Sequence, residues 1–505
     1  MNCIDKLIYI RRIKKKSGSS LGTINAQIKN AKNTFNLSLE EFYKYKLWNK
    51  TDTQIARSVL NNHRKEKTNA NNYKRIKKVS GKGREVVDKE IKDIKRDYGV
   101  KIEPTTYLSY GLYAIEDYSD EKAQQLINTV KEILEQQDVL REQLIELDNA
   151  TIAYEDISDR ISAYYNLVES VISEGEIARV TKKLIKGNPG IEENHEECKR
   201  IAVDMLVARD LLGFTNGEYI SYHFYDKNFV EKREFISSKE RAVAIKLLNS
   251  DQARDTLDNK YAAYCALKKY YGREIIMLND DSDYDSFVDF CHRHKAFVKK
   301  NSFDSLGRGV ELKTVDDNTD LKKLYKEVTN DFGPVIIEEL IDANEVIKNL
   351  NRDSVNTVRV IVYTNDGVPE VHYTFMKVGR AGSFVDNGGA GGIIVHINKE
   401  TGTFDSNGID EDGIVYEEHP DHGYTFIGVQ MPDWEELLRL AKEAAMQIEG
   451  LGYVGWDFTY TSDNQWIIIE GNSLTQFIAQ QGTIGVGLKE EFYNTIGYKE
   501  RIAEK

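Results

Sequence analysis

Apolar positions recur at helical spacing through the first half of the chain and at strand spacing through its last third. In AQQLINTVKEILEQQDVLREQLIEL, residues 123–147, Leu126, Ile127, Val130, Ile133, Leu134 and Leu140 fall near one helical stripe. A long helix with one apolar stripe needs a partner for it. Residues 119–186 therefore predict an antiparallel helical pair or a dimerising coil, the second giving a homodimer. Residues 1–75 read as short helices and 76–100 as a charged connector entering another helix. KGNPG at 186–190 breaks the pattern. From about residue 295 short β-rich runs take over: AFVKKN, PVIIEEL, TVRVIVYT, VHYTFMKV, GIIVHIN, GYVGWDFTY and QWIIIEGN, with glycines between them. The helical run PDWEELLRLAKEAAMQIEG, 432–450, lies among them. This texture predicts α+β with a mainly antiparallel sheet. A short internal repeat also stands out. LSLEEFYKYKLW at 37–48 resembles FTNGEYISYHFY at 214–225, aligning Glu41 with Glu218 and Tyr45 with Tyr222.

GYVGWDFTYTSDNQWIIIEGNS, 452–473, reads as a hairpin. A two-residue loop at Asp463-Asn464, residues that tolerate positive φ, sets Ser462 against Gln465. That register puts Asp457 opposite Glu470 and Gly455 opposite Asn472. With period-two alternation Asp457, Glu470 and Asn472 share one face. Trp456, Phe458, Ile467 and Ile469 fall on the other, packing face. Like charges directly opposite are destabilising, so something should neutralise them. Two carboxylates and an amide suit Mg²⁺, which fills its remaining positions with phosphate and water. The missing side chain at Gly455 leaves room above the site. The bland alternative is a solvent-facing acidic hairpin; the coincidence of register, face and ligand type favours the metal.

Composition narrows the class. The chain has 505 residues, 40% hydrophobic and 30% charged, a globular balance with room for two to four domains. The texture divides it into 1–118, basic and mainly helical; 119–190, helical hairpin or coil; 191–295, helical lead-in; 296–490, the β-rich part; and 491–505, a tail. No apolar run approaches a membrane span. The start, MNCIDKLIYIRRIKKKS, has too short an apolar stretch for a signal peptide, and its basic cluster follows that stretch. Four scattered cysteines without a CxxC pair fit reduced thiols and a cytoplasmic location. The net charge of −13 is uneven: residues 1–100 hold 25 Lys+Arg and 10 Asp+Glu, a local +15, which leaves −28 for the remainder. Such an arm suits an anionic partner, at the inner membrane face or on a protein, or is a solvated helical surface. Its aromatic residues do not interleave as a stacking platform, which argues against nucleic acid.

The rest of the candidate chemistry points to phosphate. FVKKNSFDSLGRGVEL, 297–312, is strand, small-residue loop, strand. Gly307 and Gly309 let backbone N–H groups approach an anion, and Lys299 and Lys300 supply charge. No GK[ST] opens a helix and no GxGxxG follows the strand, so neither a Walker loop nor a Rossmann turn is present. PVIIEELIDANE, 334–345, runs from an apolar strand into an acidic turn, which can offer backbone groups to an adenine edge and a carboxylate to ribose. Lys260, in LDNKYAAYCALKKYYG, stands at a helix start with an Asp/Asn cap region.

Together these pieces resemble the ATP-grasp superfamily: a lysine on a helix, a lysine before a Gly-rich hairpin, an EE hinge, an arginine strand, then D…E-x-N. DSVNTVRVIVYT, FVDNGGAGGIIVHIN and HPDHGYTFIGVQMPDW look like its sugar-transfer-associated branch, found with polysaccharide biosynthesis. The resemblance covers about 195–490. It implies two α+β subdomains gripping ATP, behind a helical N-terminal extension. It implies that Lys260 and Lys300 hold the α- and β-phosphates, with Lys299 as the register alternative. Ser305, Gly307, Arg308 and Gly309 match the loop that closes over ATP. Glu338, Glu339 and Ile341 match the adenine hinge, and Glu345 the ribose carboxylate. Asp457, Glu470 and Asn472 match the ligands of two Mg²⁺ ions. Arg359 matches a strand arginine near the γ-phosphate or the substrate carboxylate, so Arg359 and Lys300 are the candidate catalytic groups. Asn387, Gly388 and Gly389 in DNGGAGG are candidates for substrate contact through backbone N–H groups, or a flexible turn.

The implied reaction activates a carboxylate with ATP, releases ADP, and passes the acyl group to an amine, such as an amino acid or an amino sugar. The sequence departs from the pattern at KKN, where lysine–proline is usual, and in SLGRG, which is poorer in glycine. It departs again at Gly455, where related ligases carry an arginine. Arg359 or Arg380 is the candidate substitute. A small-molecule kinase and a non-catalytic ATP-binding scaffold remain the rival readings.

Overall fold

Nine alternating residues, TVRVIVYTN, make strand β5 (Thr357–Asn365), and its first seven positions are all buried. A strand buried on both faces must have neighbours on both edges and layers above and below. The computed structural model, which describes residues 3–303, 309–330 and 333–503, supplies them. β5 lies between β6 (Val368–Val378) and β10 (Tyr453–Tyr460), antiparallel to both. With β7 (Ile393–His396), β8 (Gly408–Ile409), β9 (Val415–Tyr416) and β11 (Trp466–Asn472), they form a seven-stranded sheet. Its order is β11-β10-β5-β6-β7-β8-β9. The helix Trp434–Ala445 covers it, and Leu437, Ala441 and Ala444 enter the core beside Val358, Val360, Val362 and Trp456.

A second sheet has four strands, β1 (Ile275–Leu278), β2 (Ala296–Asn301), β3 (Glu311–Thr314) and β4 (Val335–Glu339), in the order β1-β4-β2-β3. Phe287 and Phe290 from the helix Tyr284–Arg293, and Tyr325 and Val328 from the helix Leu321–Thr329, pack on Phe297, Val335 and Ile337. The expected α+β, mainly antiparallel architecture is present. β1 was not expected; its four residues lie in the segment read as helical lead-in.

The chain forms two discontinuous compact units. One comprises residues 1–63, 244–408 and 416–483, and holds the four-stranded sheet and strands β5, β6, β7, β10 and β11 of the larger one. The other comprises 64–243, 409–415 and 484–505. In the second unit the helix Glu121–Asp148 buries Ile127, Val130, Ile133 and Leu140 against Ile161, Tyr164 and Val168 of the helix Ser158–Val171. The stripe expected to need a partner helix meets one within the chain. Among the described residues no helix is long and apolar enough to cross a membrane.

The repeated segments share local structure. Leu39–Lys44 and Asn216–Ser221 are six-residue helices, each opened by a capping box, Ser38 with Glu41 and Thr215 with Glu218. Each ends at a tyrosine, Tyr45 or Tyr222, followed by a left-handed residue, Lys46 (φ 54°) or His223 (φ 52°).

The hairpin turn differs from its expected form. The Thr461 carbonyl accepts from Asn464 N–H at 3.0 Å, Asn464 is left-handed (φ 58°), and Thr461 N–H donates to the Gln465 carbonyl at 2.9 Å. The loop is therefore Ser462–Asn464, three residues long, a form in which a turn is followed by one left-handed residue. Near the loop Tyr460 faces Trp466 and Phe458 faces Ile468. A bulge between Asp457 and Phe458 then absorbs Ile469, and beyond it Asp457 faces Glu470 and Gly455 faces Asn472. The extra residue also corrects the packing face. Ile468, rather than Ile467 or Ile469, joins Trp456 and Phe458 in the core.

Candidate functional site

A cavity lies between the two sheets, lined by Lys260, Val298, Lys300, Glu338, Leu340, Ile341, Lys377, Asp386, Asn387, Asp457, Ile469 and Glu470 among others. Local rules place each charged wall. Lys260 opens the helix Lys260–Tyr271, whose cap is Asn259; the Asn259 carboxamide oxygen accepts from the N–H groups of Tyr261 and Ala262, both at 3.1 Å. β2 alternates, so Lys299 and Lys300 point to opposite faces. Lys300 faces the cavity and donates to Glu338 Oε2 at 2.9 Å. Lys299 turns away and donates to Glu311 Oε1 at 3.1 Å on β3. Of the two lysines, Lys300 is the one that lines the cavity.

Glu338 is the best buried acid of the smaller sheet. Arg273 Nε and Nη2 donate to the same oxygen at 3.0 and 2.8 Å. Burial alone would raise the Glu338 pKa, but the charges of Lys300 and Arg273 outweigh it and hold the carboxyl down, to about 2. The side chain is thus a buried anchor under Lys300. β4 ends at Glu339, so Leu340 and Ile341 line the cavity just beyond the ladder. Glu345 is exposed and ion-paired to Arg352, outside the residues that line the cavity.

On the larger sheet Asp457, Glu470 and Asn472 come together as the hairpin register requires. Asn472 Nδ2 lies 3.5 Å from Asp457 Oδ2 and 3.4 Å from Glu470 Oε1. Arg359, opposite Asp457 in the β5–β10 register, donates to it from Nε at 2.5 Å and Nη2 at 2.8 Å. Lys377 of β6 donates to Asp457 Oδ2 at 3.0 Å. Burial opposes ionisation of Asp457, yet these two cations hold its carboxyl well below the usual carboxylate range. The opposed carboxylates are therefore neutralised from the protein itself, where the sequence had suggested a metal as the neutraliser.

The donor set nevertheless fits a hard divalent cation. Asp457 and Glu470 line the cavity, and Asn472, outside the lining, stands beside both of them, with nitrogen and sulfur ligands absent from the set. Lys260 and Lys300 line the same space and suit phosphate oxygens, while Val298, Leu340, Ile341 and Ile469 offer apolar surface for a base.

The expected room above Gly455 is filled. A Cβ there would lie 2.0 Å from Thr475 Oγ1 and 2.9 Å from Arg359 Cδ. Arg359 crosses this glycine, and its Nη1 donates to Thr475 Oγ1 at 3.1 Å. Neither arginine is among the residues that line the cavity, but Arg359 is bonded to the lining residue Asp457, whereas Arg380, the other candidate, is paired with Asp421 at 2.7 and 3.0 Å. Ser305, Gly307 and Arg308 lie outside the described residues; Gly309, left-handed at φ 67°, does not line the cavity.

In the Gly-rich run Asn387 lines the cavity, whereas Gly388 and Gly389 do not. The N–H groups of Ala390, Gly391 and Gly392 bond inward, to the carbonyls of Asn387 and Gly388. Two charged residues of the cavity are not marked by the sequence reading, Lys377 and Asp386. Thr357 Oγ1 donates to Asp386 Oδ2 at 2.5 Å, and Lys377 Nζ stands 3.9 Å from Oδ1. Burial pushes the Asp386 carboxyl up, and Lys377 and Thr357 work against that rise. A lone cation inside the apolar run VHYTFMKV was the available signal for Lys377.

Comparison with known proteins follows the same lines. Residues 244–496 match the family model described as sugar-transfer associated ATP-grasp. Among solved structures, the chain is similar to the ATP-grasp ligase PsnB complexed with minimal precursor, at 14% identity and TM-score 0.32, over 49% of this chain and 62% of that one. It is similar to the D-alanine-D-alanine ligase from Coxiella burnetii, at 12% identity and TM-score 0.30, over 45% of this chain and 51% of that one. It is also similar to N5-carboxyaminoimidazole synthetase from Staphylococcus aureus complexed with ADP, at 13% identity and TM-score 0.30, over 48% and 53%. The chain thus spans between half and two thirds of the length of these structures. No curated protein matches it.

Proposed function

We propose, from the premise that this chain belongs to the sugar-transfer associated ATP-grasp family, that it is an ATP-dependent carboxylate–amine ligase. ATP would be the phosphoryl donor, an acyl phosphate the intermediate, and an amino acid or an amino sugar of a surface polysaccharide the acceptor class. The observation that carries this reading is Arg359. It stretches across Gly455 from Asp457 to Thr475. It thereby brings a guanidinium to the strand position that lacks its own arginine, beside the two carboxylates. That favours acyl transfer over the kinase alternative, because a developing oxyanion needs a fixed cation within reach.

The residues divide the work. Lys260 and Lys300 take phosphate oxygens, and Glu338 with Arg273 holds Lys300 in place. Asp457, Glu470 and Asn472 would hold Mg²⁺, which when bound supplies charge neutralisation to the triphosphate. Ile341 and Leu340 receive the base. Lys377 lines the cavity; Arg359, which is not among the lining residues, would reach the reacting groups from behind Asp457 once its hold on that carboxylate is loosened. The carboxylate oxygen attacks the γ-phosphorus and ADP leaves. The amine nitrogen then attacks the acyl carbon, the C–O bond to phosphate breaks, and the amine loses its proton. The apolar wall keeps water from the intermediate.

The test is ATP turnover with Mg²⁺ against pooled amino acids and amino sugars, resolving ADP, AMP and inorganic phosphate. Acceptor-dependent release of ADP and phosphate in equal amounts supports the ligase. ADP without free phosphate would make the protein a kinase, and AMP would exclude both.

A further inference from the structure

Residues 1–63 lie outside the stretch matched by the family, yet they belong to the same compact unit as the cavity. They have a core of their own, with Ile24, Phe35, Phe42, Ile55 and Val59 fully or almost fully buried. Two sets of contacts join this module to the cavity walls.

The first is ionic. Arg57, in the opening turns of the helix Asp52–Ser80, donates to Asp258 Oδ2 from Nε at 2.9 Å and Nη2 at 2.5 Å. Its Nη2 also reaches Asp255 Oδ1 at 3.1 Å, and Thr51 Oγ1 donates to Asp255 Oδ2 at 3.1 Å. Asp258 ends the helix Asp251–Asp258, two residues before Lys260. Its other oxygen accepts from Ser473 Oγ at 2.7 Å, and Ser473 directly follows Asn472. One carboxylate therefore joins Arg57 to the neighbours of a phosphate-facing lysine and of a metal-facing amide.

The second contact is apolar. Phe35 packs on Phe303 with ring centroids 5.8 Å apart, and Phe303 N–H donates to the side chain of Asn301, a cavity residue, at 2.9 Å. A Cβ at Gly333 would come within 3.0 Å of the Phe35 ring, so the backbone there approaches as closely as only glycine allows.

We propose that residues 1–63 are a built-in brace of the nucleotide site, with Arg57 a positioning residue that acts through Asp258 on Lys260 and Asn472. The proposal rests on the reading of the cavity as an Mg·ATP site. The physical case is geometric. Sites work when their first contacts are locked by a second layer of packing and hydrogen bonds, and a two-point guanidinium–carboxylate contact fixes orientation as well as distance. Arg57 and Asp258 are each about a third exposed, at 32% and 31%. Their pairing therefore adds little to global stability, and removing it should move the site without unfolding the protein.

The experiment is equilibrium binding of Mg·ATP to the full-length chain, with thermal midpoints measured in parallel. The variants are Arg57→Ala, Arg57→Lys, Asp258→Asn and the double Arg57→Ala/Asp258→Asn. Asparagine at 258 keeps an acceptor for Ser473 and isolates the charge. Arg57→Ala should weaken Mg·ATP on the order of threefold to tenfold, with nearly the wild-type midpoint. Arg57→Lys should recover part of the loss, because one charged contact survives without the fork. The double variant should be no worse than the worse single, as expected for two ends of one contact. Unchanged affinity in Arg57→Ala, or losses that multiply in the double variant, would overturn the brace. A wild-type chain that does not bind Mg·ATP would overturn the nucleotide reading, and the brace with it.

Discussion

Arg359 and Asp457 face each other across β5 and β10, and both oxygens of the buried carboxylate are held by the one guanidinium, at 2.5 and 2.8 Å. Lys377 adds a second cation to the same carboxylate at 3.0 Å. Asp457 thus has a structural task and a chemical one. Asp457→Ala strips both, taking from two buried cations the carboxylate they share. Breaking a buried pair from one side costs about 3–5 kcal/mol. The variant should unfold at a clearly lower temperature and lose on the order of a thousandfold in ATP turnover. Differential scanning calorimetry beside a turnover assay checks both. A variant that loses turnover at wild-type stability would contradict the structural half.

Gly455 is where a small change should do disproportionate harm. Its added methyl would sit 2.0 Å from Thr475 Oγ1. Overpacking of this kind costs about 1–3 kcal/mol. Gly455→Ala should lower the thermal midpoint and push Arg359 off Thr475, reducing turnover. Gly455→Ala combined with Thr475→Ala should regain much of the stability. A double variant no more stable than Gly455→Ala alone would count against the clash.

Two buried acids of the cavity should respond to pH with opposite sign. Glu338 has a folded pKa lowered from 4.5 to about 2, so its stabilising contribution is fully present above 4.5 and is lost as pH falls through about 2. The stability gap between wild type and Glu338→Gln should therefore shrink as pH falls from 4.5 to about 2. Asp386 has a folded pKa raised above 3.8, so its contribution is present below that value and is lost as pH rises through the folded pKa. Asp386→Asn should gain on wild type as pH rises. Midpoints across a pH series for both variants decide it, and gaps that run in the same direction would refute the assignment.

Lys300 and Lys299 offer a matched pair. Lys300 lines the cavity and Lys299 pairs with Glu311 on the other face. Lys300→Met should weaken Mg·ATP strongly, tenfold or more for a lost charge-assisted phosphate contact of about 1.5–3 kcal/mol. Lys299→Met should leave affinity within about twofold, because it removes no cavity contact. Equal losses in the two variants would contradict the assignment of faces.

The strands that carry the candidate site are legible in the sequence, for identifiable reasons. Period-two alternation in TVRVIVYT and VHYTFMKV marked β5 and β6, and it put Asp457, Glu470 and Asn472 on one face. The turn departs from the two-residue form because Asn464 alone takes the left-handed conformation and the loop gains a residue. The bulge at Ile469 then restores the register, so the expected pairing at the acids arises from two offsetting departures. β1 escaped notice because IIML is four residues without alternation. Lys377 and Asp386 depend on which strands become neighbours, and that is decided by long-range packing. Arg273 meets Glu338 across 65 residues of sequence. The joining of residues 1–63 to 244–408 likewise leaves no local trace in the chain.

The most direct test of the central claim is trapping with hydroxylamine. The wild-type chain would be incubated with Mg·ATP, the amino-acid pool and hydroxylamine, with Asp457→Asn and Arg359→Met run beside it. The account predicts an amino-acid hydroxamate formed in step with ADP by the wild type and lost in both variants. ADP formed without hydroxamate, in the presence of a carboxylate that stimulates turnover, would contradict an acyl phosphate and with it the ligase.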